Sequence, residues 1–172
     1  MKKILLLGYM GSGKSIIGKL VAERLQFPFH DLDQLIENRF QMAISEIFRQ
    51  KGEIHFRKIE HQIFQEFMSN EESFVLSLGG GTPCYANNHV LLKKPGTTSI
   101  YLKASIETLR LRLVGERKNR PLLAQLTDEE VKEYIAKHLF ERSYFYLQAS
   151  IAIIVDNKTP HQISDEILES LA

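Results

Sequence analysis

The sequence predicts an α/β fold, a parallel β-sheet covered on both faces by helices. Three observations carry that expectation. Short aliphatic runs alternate with longer amphipathic stretches along the whole chain, the pattern of parallel strands joined by crossover helices. No internal repeat or low-complexity segment interrupts the alternation. The chemically unusual residues follow the first three strands, at the carboxyl rim where ligands gather in such sheets.

The elements are expected in this order. Lys3–Leu7 is an aliphatic strand cut short by Gly8, and Lys14–Gln26 has helical spacing. Pro28–Leu32 is the second strand. Helices at Gln34–Phe40, Ile44–Lys51 and Glu53–Ser69 fill the gap to a third strand, Phe74–Leu78. A helix over Ala86–Lys93 leads to the strand Ser99–Leu102. Ser105 is placed to cap the helix Ser105–Val114, and Thr127 the helix Asp128–Gln148. Strand Ile151–Val155 and helix Pro160–Leu171 complete the chain. Helices between parallel strands imply a sheet buried on both sides.

At 172 residues, 44% hydrophobic and 25% charged, the chain is expected to fold as one domain over 1–172. A net charge of +1 lacks the basic excess that nucleic acid or an anionic membrane would call for. The substrate is expected to be small. No run could span a bilayer, and the apolar run after Lys3 stops at Gly8 with no cleavage site behind it, unlike a signal peptide. The single cysteine, Cys84, excludes an internal disulfide and suits a reducing cytoplasm.

Residues 8 to 15, Gly8-Tyr9-Met10-Gly11-Ser12-Gly13-Lys14-Ser15, satisfy G-x-x-x-x-G-K-[ST] between a strand and a helix. This is a phosphate cradle: the glycines let successive amides converge on phosphate oxygens, Lys14 adds a positive charge, and Ser15 offers a hydroxyl to Mg²⁺. The helix that follows puts its positive end under the phosphates.

Asp31 and Asp33 lie two apart at a strand end, so period-2 geometry is expected to point both carboxylates one way and Leu32 the other. Beside a triphosphate, one acid can serve Mg²⁺ while the other orients and deprotonates an attacking hydroxyl. The competing reading is a solvated turn or a helix N-cap ahead of Gln34. Gly79-Gly80-Gly81 is costly in backbone entropy unless a ligand approaches the main chain closely. Arg57 and Glu60, three apart, share a helix face beside Phe56; they form either a surface salt bridge or a guanidinium clamp for a carboxylate. Five cations lie between Arg110 and Arg120, and Arg120, held beside Pro121, is the one assigned to a lid that closes over a nucleotide. The six histidines make no metal constellation, and no Ser-His-Asp pattern is visible.

In that order and spacing, the motifs G-Y-M-G-S-G-K-S, D-L-D, G-E-I-H-F-R-K-I-E, L-S-L-G-G-G-T, R-P-L-L and E-R-S-Y-F-Y resemble those of shikimate kinase, within the nucleoside-monophosphate-kinase-like P-loop proteins. The resemblance covers almost the whole chain. It implies a three-layer P-loop NTPase fold with a five-stranded parallel sheet ordered 2-3-1-4-5, a substrate-binding segment over about 33–61 and a mobile lid over about 112–124. The implied activity moves the γ-phosphate of ATP to the 3-hydroxyl of shikimate, with Mg²⁺, in a cytoplasmic monomer. Gly11, Ser12, Gly13, Lys14, Ser15 and Ile16 would then hold the nucleotide, with Ser15 on Mg²⁺ and Asp31 reaching it through water. Asp33 would hold the shikimate hydroxyls and serve as base. Arg57, fixed by Glu60, and Arg142 would grip the carboxylate, Gly79, Gly80 and Gly81 would wall the pocket, Arg120 would reach the phosphates, and Arg112 would flank the adenine. Arg142 has no signal of its own apart from the resemblance. Ile16 stands where the family commonly has threonine, which removes a side-chain contact to an α-phosphate oxygen. The alternatives are a related kinase for another polyhydroxy acid such as gluconate, or an ATP-binding regulatory module with little turnover. A guanine switch is disfavoured because Asn157-Lys158-Thr159-Pro160 lacks the final acid of Asn-Lys-x-Asp.

Overall fold

Ile4, Leu5, Leu6 and Leu7 are each at most 1% exposed, as the central strand of a parallel sheet covered on both faces requires. They belong to β1 (Lys3–Leu7). With β2 (Phe29–Asp31), β3 (Phe74–Ser77), β4 (Thr97–Lys103) and β5 (Ile151–Ile154) it forms one sheet of order β2-β3-β1-β4-β5, in which every pairing is parallel. Leu5 stands opposite Leu76 on one side and Ser99 on the other. The structure, a computed structural model, describes residues 2–120 and 122–172. Pro121, read above as the neighbour that holds Arg120, lies outside the described residues.

The helices are α1 (Lys14–Leu25), α2 (Leu32–Phe40), α3 (Ile44–Met68), α4 (Ile106–Gly115), α5 (Asp128–Tyr146) and α6 (Pro160–Leu171). Helix α1 packs on α6, α2 on α3 and α4 on α5. Both expected caps form: Ser105 accepts from the Thr108 amide, and Thr127 and Glu130 make a reciprocal capping box.

Two local expectations are corrected and a third holds. Helix α2 begins at Leu32, because Asp31 Oδ1 accepts from the amides of Asp33 and Gln34 at 3.0 and 3.3 Å and so caps it. Asp33 is therefore a first-turn helical residue, and period-2 strand geometry is not what aligns the two acids. The two helices expected on either side of Gly52 are found as expected within α3, divided at that residue, whose φ of 79° and ψ of 167° are closed to a residue with a Cβ. The helix expected over Ala86–Lys93 is instead a 3₁₀ turn at Asn88–Lys93, preceded by another at Thr82–Cys84. Ala86 and Asn87 take φ of 50° and 56°, while the buried Asn88 side chain donates to Thr82 O at 2.9 Å. Those tertiary bonds outweigh local helical spacing.

Candidate active site

A cleft of 520 Å³ opens at the carboxyl ends of the strands. One wall is the loop between β1 and α1. A Cβ on Gly8 would lie 2.8 Å from Leu102 O, so the loop turns against β4 only with glycine there. Gly13 precedes α1, and among the described residues no side chain caps that helix and no acid sits in its first turn. The leading amides and the positive end of the dipole are thus left for an anion. Gly11, Ser12, Gly13, Lys14, Ser15 and Ile16 all line the cleft.

Lys14 Nζ donates to the carbonyls of Gly8 and Tyr9 at 2.8 and 3.1 Å, which aims the ammonium into the loop. Burial pushes it down to about 8, although the carboxylates of Asp33 and Asp31 pull the other way. Ser15 Oγ donates to Asp31 Oδ2 at 3.3 Å. One oxygen of Asp31 therefore caps α2 while the other faces Ser15, so the cap and the site belong to the same residue.

Asp33 lies across the cleft. Burial, then the neighbouring carboxylates of Asp31 and Glu60, push its carboxyl up to about 6, against the opposing pull of Lys14. Its Oδ1 would be 3.0 Å from a Cβ on Gly79, so the glycine leaves it room. Glu60 is 1% exposed and fully engaged: Arg57 Nη1 donates to it at 2.9 Å and Thr82 Oγ1 at 2.8 Å. The Arg57 guanidinium also lies 4.0 Å from the centre of the Tyr85 ring. It passes so near the turn that a Cβ on Gly81 would meet Nη2 at 2.6 Å. Arg142 Nη1 would be 3.4 Å from a Cβ on the adjacent Gly80. Two guanidinium groups thus press against neighbouring glycines.

The remaining cations close the opposite side. Arg120 donates to Glu116 Oε2 from Nε at 3.1 Å and Nη2 at 2.9 Å, with Nη1 3.6 Å from Met10 Sδ. Arg112 Nη1 donates to Gly11 O at 3.0 Å, so it is tied to the loop backbone. Asp31, Asp33, Gly79, Gly80, Arg112 and Arg120 line the cleft. Arg57, Gly81 and Arg142 are outside that lining and meet it through the glycine turn.

Sequence reasoning misses Lys158, in the turn after β5, and Pro160, the first residue of α6, which line the same cleft. Their position on the carboxyl rim is the available signal; the segment is weighed above only against a guanine motif. It also misses Tyr146, whose hydroxyl donates to Gly80 O at 2.5 Å. Arg142 and Tyr146 are one helical turn apart, a spacing that is legible in the chain. Chemically, the arrangement can hold a polyanion over the β1–α1 loop and a small carboxylate-bearing alcohol beside Asp33.

Comparison with known proteins gives a consistent result. A family model described as shikimate kinase matches residues 10–172. The chain is 52% identical over 172 residues to a shikimate kinase of Flavobacterium johnsoniae, covering 100% of both. Among solved structures it resembles shikimate kinase from Bacteroides thetaiotaomicron, with a TM-score of 0.91, 33% identity, and coverage of 99% of this chain and 98% of that one. It also resembles shikimate kinase from Acinetobacter baumannii in complex with shikimate, with a TM-score of 0.87, 31% identity, and coverage of 99% and 93%.

Proposed function

Because the chain belongs to the shikimate kinase family, we propose that it transfers the γ-phosphate of ATP to the 3-hydroxyl of shikimate, giving shikimate 3-phosphate and ADP. The observation that carries this reading is the joint presence of two guanidinium groups, Arg57 on Gly81 and Arg142 on Gly80, next to a carboxylate, Asp33, that faces the phosphate loop. A carboxylate-bearing alcohol would be gripped at its acid end by the two arginines, leaving a hydroxyl for Asp33. The Acinetobacter baumannii neighbour is a complex with shikimate, which supports shikimate as the alcohol.

In this reading Asp33 is ionised at neutral pH, since its carboxyl titrates near 6. It orients the 3-hydroxyl and takes its proton as the new O–P bond forms and the bond to the β–γ bridging oxygen breaks, releasing ADP. The loose transition state asks more for positioning and charge than for a strong base. Lys14 and Arg120 supply that charge to the phosphate oxygens, Arg120 after leaving Glu116. Glu60 has no free oxygen for a ligand and holds Arg57 in place. Arg112 and Ile16 flank the nucleotide.

The donor set beside the loop fits Mg²⁺: the Ser15 hydroxyl and the Asp31 oxygen that does not cap α2, Oδ2, are hard oxygen donors 3.3 Å apart, Ser15 placed to hold the ion directly and Asp31 through water. When bound there, Mg²⁺ would neutralise charge on the β- and γ-phosphate oxygens. Every residue invoked comes from one chain, so the reading needs no second copy. Its demand for ATP, and its one free thiol, Cys84, suit the cytoplasm. Among the described residues no helix is long and apolar enough to cross a membrane. The test is ADP formation against a panel of hydroxy acids. Release is expected with shikimate and not with gluconate; equal rates with both, or none with either, would overturn the assignment.

A further inference from the structure

The face of α5 that carries Arg142 also carries Tyr134, His138 and Tyr146, each one helical turn from the next. These residues have partners in the site's own loops. Tyr146 reaches the Gly80 carbonyl at 2.5 Å. His138 Nδ1 lies 2.8 Å from the hydroxyl of Tyr9, the second residue of the phosphate loop, and that tyrosine is 1% exposed. The Arg142 guanidinium sits 5.7 Å from the centre of the Tyr9 ring. The His138 imidazole is itself braced edge-on by the Tyr134 ring at 4.3 Å. A buried phenol with one partner has a definite orientation, and the ring face it presents to the cation is set by that bond.

We propose that His138 is a positioning residue for substrate binding: through its hydrogen bond to Tyr9 it sets the ring on which the Arg142 guanidinium rests, and so the angle at which Arg142 meets the substrate carboxylate. The proposal rests on the reading of Arg142 as part of the carboxylate grip. Burial and the nearby Arg142 push the His138 imidazole below its ordinary range, and burial holds the Tyr9 phenol protonated. Both groups are therefore neutral, and the imidazole tautomer sets which of the two donates. The bond also ties α5 to the phosphate loop, while Tyr146 ties the same helix to the glycine turn. Arg142 lies between the two tethers in the chain and is supported by both of them.

Steady-state kinetics on the purified enzyme test this. His138→Phe keeps a flat ring but removes the hydrogen-bonding nitrogen, and is expected to raise KM for shikimate about tenfold with kcat and KM for ATP changed less than about twofold. His138→Asn, whose Oδ1 stands near the place of Nδ1, is expected to restore KM. Tyr9→Phe should raise KM in the same direction, and the Tyr9→Phe/His138→Phe double variant should be no worse than His138→Phe alone, because one bond is lost in each case. Thermal unfolding identifies any variant that fails to fold, and the milder Tyr9→Phe and His138→Asn keep the comparison available. Additive single effects, a change confined to ATP, or His138→Asn as poor as His138→Phe would overturn the proposal. Arg142→Ala is run alongside. A large rise in shikimate KM there, with none in His138→Phe, overturns only the positioning role, whereas no rise in Arg142→Ala overturns the reading of Arg142 and the proposal with it.

Discussion

Replacing Asp33 with asparagine is expected to lower kcat sharply and, at neutral pH, to stabilise the fold. Burial and two neighbouring carboxylates push the Asp33 carboxyl from 3.8 up to about 6. At 1.36 kcal/mol per pH unit, that displacement makes the ionised side chain cost about 3 kcal/mol in the folded state. The favourable pull of Lys14 is already contained in that position. Between pH 3.8 and about 6 the folded protein keeps a proton that the unfolded chain has released. Stability therefore falls as pH rises through that window and is level above it. The asparagine side chain has no charge to bury and escapes the loss. The variant should match the parent near about pH 4 and exceed it by about 3 kcal/mol at about pH 7, worth roughly 6–12 °C in Tm for a chain of this size. Urea unfolding of both proteins across a pH series measures it, and the subtraction cancels the titrating groups remote from Asp33. A difference that is the same at all pH values, or a variant less stable than the parent at neutral pH, would refute the reasoning. Nucleotide binding should persist in the variant.

Three further outcomes are expected. Arg57→Ala leaves Glu60 buried without its cation, so stability should fall by about 3 kcal/mol in chemical denaturation while KM for shikimate rises and ATP binding holds. Gly81→Ala puts a Cβ 2.6 Å from Arg57 Nη2 and must displace the guanidinium; a rise in shikimate KM on the order of tenfold is expected, read against an unchanged KM for ATP. Lys14 titrates near 8 in the free enzyme because it is buried, and it loses its charge as pH rises through that value. The calorimetric Kd for ATP should therefore increase steadily above about pH 8, with a smaller slope in Lys14→Arg, which stays charged.

Much of the architecture could be read along the chain, because strands and helices announce themselves through spacings of two to four residues. The aliphatic run Ile4–Leu7, the glycine loop to Ser15 and the caps at Ser105 and Thr127 each depend on neighbours within a few positions, and these appear where local chemistry put them. Of the site, the loop lysine, the two acids and the glycine turn stand out by composition. Strand alternation is the wrong reason for the acids: Asp31 and Asp33 share the cleft because Asp31 starts a helix. Asn88–Lys93 loses its α-helix to hydrogen bonds with Thr82 and His61, which no local window contains.

What only the tertiary structure decided is which distant side chains meet. Arg142 is an ordinary arginine in a long helix until α5 lies against the phosphate loop and the glycine turn; only then do Tyr9, His138 and Tyr146 become its neighbours. The pKa displacements of Asp33 and Lys14 arise in the same way, from burial and from charges brought together out of separate elements. Backbone geometry and water sort residues into elements over short distances, and the chain alone determines that much. The angles and positions of side chains across a site depend on how those elements pack, since a guanidinium, a ring and a carboxylate interact only when folding removes the water between them.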